Sequence, residues 1–254
     1  MVRKEFSESP YAFETYWPEG PGPFPLLFIT PLLGRLALFE DLHFERQFAK
    51  FYARRGFAAA LVDRPFFSYD LGRGLEQVAD YVTQAVERNK AVLDTLIDHP
   101  LVHPKKVATL GISFGGIINC LWAAEDPRIK CHIFALVGGN LPKIFMTSMD
   151  PLMRSYLKST QDATGLTGND LLSALKKIFH KDPLQAAKHV QSDQVLMILA
   201  LWDWVVRPVY GRSLRQALGC PKTIYLPLGH YLSVLAAPLL TYAALRFLKK
   251  RLLR

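Results

Sequence analysis

The feature that most restricts the fold is a series of short, nearly unbroken apolar runs separated by longer helical patterns. The runs are PLLFIT (25–30), AAALVD (58–63), KVATLGI (106–112), HIFALV (132–137), QVLMILALW (194–202) and KTIYLPL (222–228). A strand with one wet face would alternate apolar and polar residues. Runs this uniform suit parallel strands covered on both faces. Helical patterns occupy about 40–55, 74–98, 115–125, 208–219 and 234–252. Such alternation predicts an α/β fold: a doubly wound, mostly parallel sheet with helices on both faces and right-handed crossovers. A chain of 254 residues is long enough to give that sheet a substantial core.

Two stretches break the alternation. WPEGPGPFP (17–25) is a Pro/Gly-rich entry, expected to follow one short antiparallel strand. Residues 141–190 hold two or three helical patterns between successive strands, too long for an ordinary connection. The expected organisation is a core of residues 1–140 and 191–254, with 141–190 inserted as a helical cap or lid. Its place would be over the C-terminal edge of the sheet, where α/β proteins hold their ligands.

Charge and cysteine usage narrow the partners. The chain carries 31 Lys/Arg and 22 Asp/Glu, a net charge of +9. The cations cluster only in RFLKKRLLR and around LKKIFHKD, and no long basic run interleaved with aromatics marks a nucleic-acid track. Cys120, Cys131 and Cys220 form no CxxC pair, so neither a metal site nor a redox motif is expected, and no cofactor is implied. This usage suits a reducing compartment. MVRKEFSESPYAF at the N-terminus lacks the apolar centre of a secretory signal, so a cytoplasmic location is expected. YLSVLAAPLLTYAAL (231–245) contains Pro238 and is shorter than the roughly 20 residues a membrane span needs. It is expected to be a buried terminal helix with a basic end, not a transmembrane segment. The oligomeric state leaves no mark in the sequence.

The apolar run at 106–112 ends on ATLGISFGG, in which Gly111-Ile112-Ser113-Phe114-Gly115 fits G-x-S-x-G. The strand before it and the helical GIINCLWAA after it are the context that pattern requires of a nucleophile elbow. On so tight a bend, side chains at 111 and 115 would collide with neighbouring elements. The helix that starts there aims its amide groups and positive dipole end at the serine oxygen. The competing reading is a plain Gly-Ser turn.

A serine hydroxyl needs a base to take its proton, and the base needs an orienting group. Asp203 leaves the end of a strand in ALWDWVVRP, and His230 follows the next strand in YLPLGHYLS. Both therefore fall on the same sheet edge as Ser113. Asp203 could also cap the following helix, and its two tryptophan neighbours are expected to keep it dry. Asp193 lies at the wrong end of its strand, Asp150 lies in the insertion, and Asn140 is no carboxylate. Of the other histidines, His43 and His180 fall on helical patterns and His99 and His103 in a Pro-flanked loop. His132 starts a strand and His189 precedes one.

With GISFGG, LWDWVVRP and LGH in that order, and VDRP (62–65) after an early strand, the chain resembles α/β-hydrolase-fold serine hydrolases. The likeness is to the esterase and dienelactone-hydrolase-like group and runs from about residue 20 to the C-terminus. It implies a triad of Ser113, Asp203 and His230 and an oxyanion hole of two backbone amides. One amide would be that of Phe114. The family often carries His-Gly after the early central strand; here ITPLLGR puts Thr30-Pro31 there. Pro31 has no amide hydrogen, so the second donor becomes Leu32, or Leu33 if the turn is shifted. Leu33, Phe66, Phe67, Phe114, Phe145, Trp204 and Tyr231 are candidates for an apolar substrate pocket.

The expected function is hydrolysis of a small-molecule carboxylic ester with a small or apolar acyl group, through an acyl-enzyme. The same triad would serve an acyltransferase or a peptidase. A non-catalytic protein of this fold, binding an apolar ligand or a membrane surface, is the alternative from another class.

Overall fold

A computed structural model of the chain describes residues 2–30, 44–63 and 75–253. Eight strands form one sheet in the order β1-β2-β4-β3-β5-β6-β7-β8. They are β1 (Arg3–Ser7), β2 (Phe13–Trp17), β3 (Phe24–Thr30), β4 (Ala58–Val62), β5 (Val102–Ile112), β6 (Ile129–Ala135), β7 (Val195–Ala200) and β8 (Lys222–Leu226). β1 pairs antiparallel with β2, and β2 antiparallel with β4; every other pair is parallel. The helices are α1 (Phe44–Ala53), α2 (Glu76–Ile97), α3 (Phe114–Glu125), α4 (Leu141–Thr147), α5 (Pro151–Thr164), α6 (Gly168–Ile178), α7 (Pro183–Ala186), α8 (Pro208–Ala217) and α9 (Ala237–Leu252).

The strand period of two divides the core. In β3, Leu26 and Phe28 face one cluster while Leu27 and Ile29 face the other. The first cluster lies under α2, α3 and the insertion, and the second under α1 and α9. Both faces are therefore covered, which is why the strand sequences carry no polar alternation.

The structure adds a strand to the expected N-terminal entry, which holds β1 and β2 where one strand was anticipated. Cross-strand groups tie the pair: Trp17 Nε1 donates to Glu5 at 2.7 Å, and Lys4 to Glu14 at 2.8 Å. Burial alone would raise the pKa of Glu14, but hydrogen bonds from Arg46, Lys4 and Tyr16 hold it down at about 2. β5 begins at Val102, so His103 lies in a strand, and His99 stacks on Trp17 at 4.6 Å.

Pro238 does not interrupt the terminal helix. It sits in the first turn of α9, where its missing N–H has no intrahelical acceptor to lose. With the preceding 3-10 turn Tyr231–Ala236, the run Tyr231–Leu252 is 22 residues long and holds an 18-residue window of mean hydropathy 1.5, enough to cross a membrane by length and composition. Yet Ala244, Leu245, Phe247, Leu248 and Leu252 belong to the core against the sheet. The helix could not leave without stripping that face.

The insertion between β6 and β7 contains four helices, more than its sequence pattern suggests. Its buried residues, among them Leu141, Phe145, Tyr156 and Phe179, share one core cluster with the sheet face and α3. Asp182 closes its base. One carboxylate oxygen accepts from Asn140 N at 2.9 Å and Leu184 N at 2.8 Å, and the other from Leu141 N at 2.6 Å.

Candidate active site

β5 ends on Ile112, α3 begins on Phe114, and Ser113 between them has φ 55° and ψ −121°. That is an unfavourable backbone for a residue with a Cβ, held by its surroundings. Ser113 N donates to Ala135 O of β6 at 2.7 Å, while Ser113 O accepts from Gly116 N at 3.0 Å and Ile117 N at 3.2 Å. A Cβ on Gly111 would stand 2.5 Å from Gly115 C and 2.6 Å from Gly116 N. A Cβ on Gly116 would run into Val137 Cγ1 and lie 3.0 Å from Gly111 O. The glycines let strand and helix approach closely enough to bend at the serine. α3 is buried from Phe114 to Ala123, so the elbow rests on a rigid base.

The structure brings Ser113, His230 and Asp203 together. His230 Nε2 lies 2.9 Å from Ser113 Oγ, and His230 Nδ1 lies 2.7 Å from Asp203 Oδ2. The carboxylate can only accept, so the Nδ1 proton faces Asp203 and Nε2 is left to accept from the serine hydroxyl. Asp203 is 3% exposed, and its other oxygen accepts from Val205 N and Val206 N, both at 2.8 Å. Those amides fix the carboxylate's rotation. Asp203 does not cap α8, whose N-cap is Arg207.

His230 follows Gly229, where a Cβ would lie 3.3 Å from Trp202 O. Ser233 closes the turn, donating from both N and Oγ to Gly229 O at 3.1 and 2.8 Å.

The dry surround expected from the tryptophans is corrected. Trp202 and Trp204 are 62% and 66% exposed, while Asp203 between them is buried and bonded to its own turn and to His230. Trp204 thus presents its ring to solvent, while its carbonyl accepts from Met149 N at 3.0 Å. Phe145 is core: its ring stacks on Phe179 at 4.8 Å with an interplanar angle of 5°. Phe114 packs on Tyr81 at 5.9 Å. Tyr231 lies edge-on to the His230 ring at 5.5 Å and donates its hydroxyl to Asp150 Oδ2. Asp150 in turn caps α5 by accepting from Met153 N at 2.8 Å. Burial, with Asp150 beside it, pushes the Tyr231 phenol above its ordinary pKa. Leu32, Leu33, Phe66 and Phe67 lie outside the described residues. The Phe114 amide stands at the first position of α3, where no intrahelical acceptor exists.

Sequence reasoning missed a buried polar group beside the elbow. Thr30 Oγ1, at the end of β3, donates to Asn119 Oδ1 at 2.6 Å and accepts from Asn89 Nδ2 at 3.4 Å. Asn119 Nδ2 is buried and finds no partner among the described residues. These residues join three elements and are far apart in sequence. The only local signal was polar residues within otherwise apolar patterns.

No protein-family model matches the chain, and no curated protein matches it in sequence. Its backbone is similar to that of several solved structures. An acetyl xylan esterase from Paenibacillus sp. R4 matches over 99% of this chain and 89% of its own, with 16% identity and TM-score 0.70. A cold-adapted esterase from an Arctic intertidal metagenomic library matches over 99% and 93%, at 18% identity and TM-score 0.64. The acylaminoacyl peptidase of Pyrococcus horikoshii matches 99% of this chain at 14% identity and TM-score 0.68, but the chain spans only 42% of that protein's length. Strand order, the elbow at Ser113 and these neighbours together assign the chain to the α/β-hydrolase fold.

Proposed function

We propose that the protein is a serine hydrolase that cleaves carboxylic esters of a small or apolar acyl group. The observation that carries this reading is the unbroken relay from Ser113 Oγ through His230 to Asp203, at 2.9 and 2.7 Å. In this reading His230 Nε2 takes the serine proton as Oγ attacks the acyl carbonyl, and Asp203 stabilises the imidazolium that forms. The Phe114 amide and an amide just after Thr30, assigned from the sequence to Leu32, receive the developing oxyanion. Each donor of that kind contributes roughly 3 kcal/mol. The imidazolium then protonates the departing alcohol, and water, deprotonated by His230, releases the acid from the acyl-enzyme. Residues 141–190 act as a cap over a core of 1–140 and 191–254, tied beside the site through Met149 to Trp204 and Asp150 to Tyr231. Esters are favoured over amides because an alcohol leaves more readily than an amine.

A fluorophosphonate probe tests the activated serine without needing the natural substrate. The expected result is one adduct at Ser113, absent in Ser113→Ala, with turnover of p-nitrophenyl esters exceeding that of aminoacyl amides. Folded protein that takes up no probe refutes the hydrolase reading. Preferential cleavage of the amides would make the protein a peptidase, and acyl transfer to added alcohols in place of water would make it a transferase.

A further inference from the structure

All 22 acidic residues lie at or before Asp203, and residues 204–254 carry nine Lys/Arg and no Asp/Glu, a count equal to the whole net charge of +9. The same segment exposes large apolar side chains. On the 3-10 turn and α9, Leu232, Leu235, Leu239 and Tyr242 are all exposed, Leu235 and Leu239 by 72% each. Spaced by three or four, they form one stripe along the helix. The stripe continues on the same face with Arg246, Lys249 and Lys250, all exposed. Arg55 adds a cation beside it, its guanidinium 3.6 Å over Phe51 and donating to Tyr242 Oη at 2.9 Å.

The stripe begins at the candidate site. Tyr231 and Leu232 directly follow His230, and Trp202 N donates to Leu228 O at 3.1 Å, which sets the exposed Trp202 alongside that turn. Exposed tryptophans, an apolar stripe and a cationic end are the components of an interfacial helix, which buries its apolar side chains among acyl chains while cations meet anionic headgroups. The inner face of α9 is committed to the core, so the helix can lie on a bilayer but not cross it. A second copy of this chain fits poorly, because Arg246, Lys249 and Lys250 of two such faces repel.

We propose that this stripe, with Trp202 and Trp204, docks the protein on an anionic lipid surface and turns the Ser113–His230 edge toward it. The test is sedimentation with sucrose-loaded vesicles of phosphatidylcholine alone or mixed with phosphatidylglycerol. The intact protein should partition at least about tenfold more strongly onto the anionic vesicles, less so as salt rises, since each cation near the surface contributes about 1 kcal/mol, or roughly fivefold. Lys249→Glu/Lys250→Glu should remove that preference. Leu235→Glu/Leu239→Glu alters only exposed positions, so its thermal midpoint should match the wild type while binding falls at least about tenfold. No binding of the intact protein to anionic vesicles overturns the proposal, and so does binding that neither pair weakens. A dimer in sedimentation velocity that Leu235→Glu/Leu239→Glu dissociates would assign the stripe to a second copy and overturn it equally.

Discussion

Asp203→Asn separates the proposed orienting role of the carboxylate from its role in the fold. Asp203 accepts three hydrogen bonds: Oδ1 takes Val205 N and Val206 N, and Oδ2 takes His230 Nδ1. An asparagine has one acceptor oxygen. Turning it toward His230 would point its NH2 group at two main-chain amides, of which that of Val206 is buried, and leaving a buried donor unsatisfied costs about 1–3 kcal/mol. The favoured rotamer keeps the oxygen on the amides and presents NH2 to His230. The imidazole must then accept at Nδ1 and carry its proton on Nε2, facing a serine it can no longer deprotonate. The expected loss is about 10⁴-fold in kcat, or roughly 5.5 kcal/mol of transition-state stabilisation, while the thermal midpoint barely moves. Asp203→Ala abandons both amides, of which that of Val206 is buried, and should also lose about 1–3 kcal/mol of stability. Ester turnover and fluorophosphonate labelling measure the first effect, and urea denaturation the second. Asp203→Asn turning over within tenfold of the wild type would refute the relay, whatever its stability.

Gly111→Ala should abolish labelling of Ser113 and lower the denaturation midpoint, because the added Cβ meets main-chain atoms of Gly115 and Gly116 that cannot move aside; wild-type labelling would show that the elbow tolerates a wider bend. His132 is buried against Thr109 at 3.1 Å, and burial lowers its pKa to about 3. Because only the unfolded chain binds that proton near pH 5, stability should fall as pH drops from about 6.5 toward 3, by up to roughly 1.4 kcal/mol per pH unit. Urea titrations of His132→Gln should lose that part of the slope; an unchanged slope would show that the imidazole is charged inside the fold.

Most of the sheet, and the residues of the candidate triad, were legible because each rests on local pattern. An unbroken apolar run marks a strand covered on both faces, and Ser113, Asp203 and His230 each follow such a run. The direction of Trp202 and Trp204 was not legible. Both lie on the turn after β7, which ends at Ala200, and strand alternation does not carry past a strand end, so the sequence does not say which side is wet. Pro238 misled for a related reason: a proline stops a helix from its interior and is tolerated in the first turn, and the pattern did not reveal that α9 begins only at Ala237. The clamp at Asp182 reaches Asn140 and Leu141 across about forty residues, with no periodicity to announce it.

The Thr30–Asn119–Asn89 group has the same origin in long-range packing, and it bears on the proposed oxyanion site, for which Thr-Pro stands at the end of β3. Asn119 lies six residues beyond Ser113 on α3, so the helix that follows the serine also holds, through Thr30, the end of β3. β3 and β5 are already neighbours in the sheet, with Thr30 paired to Gly111. Side-chain and main-chain contacts therefore tie the end of β3 to both sides of the elbow. A His-Gly at this point would supply its amide through a flexible glycine. Here Pro31 removes one amide and fixes its own φ, while Thr30 is held by two amide side chains. Under the proposed function an anchored strand end suits this role, because a donor fixed in advance stabilises an oxyanion without reorganising.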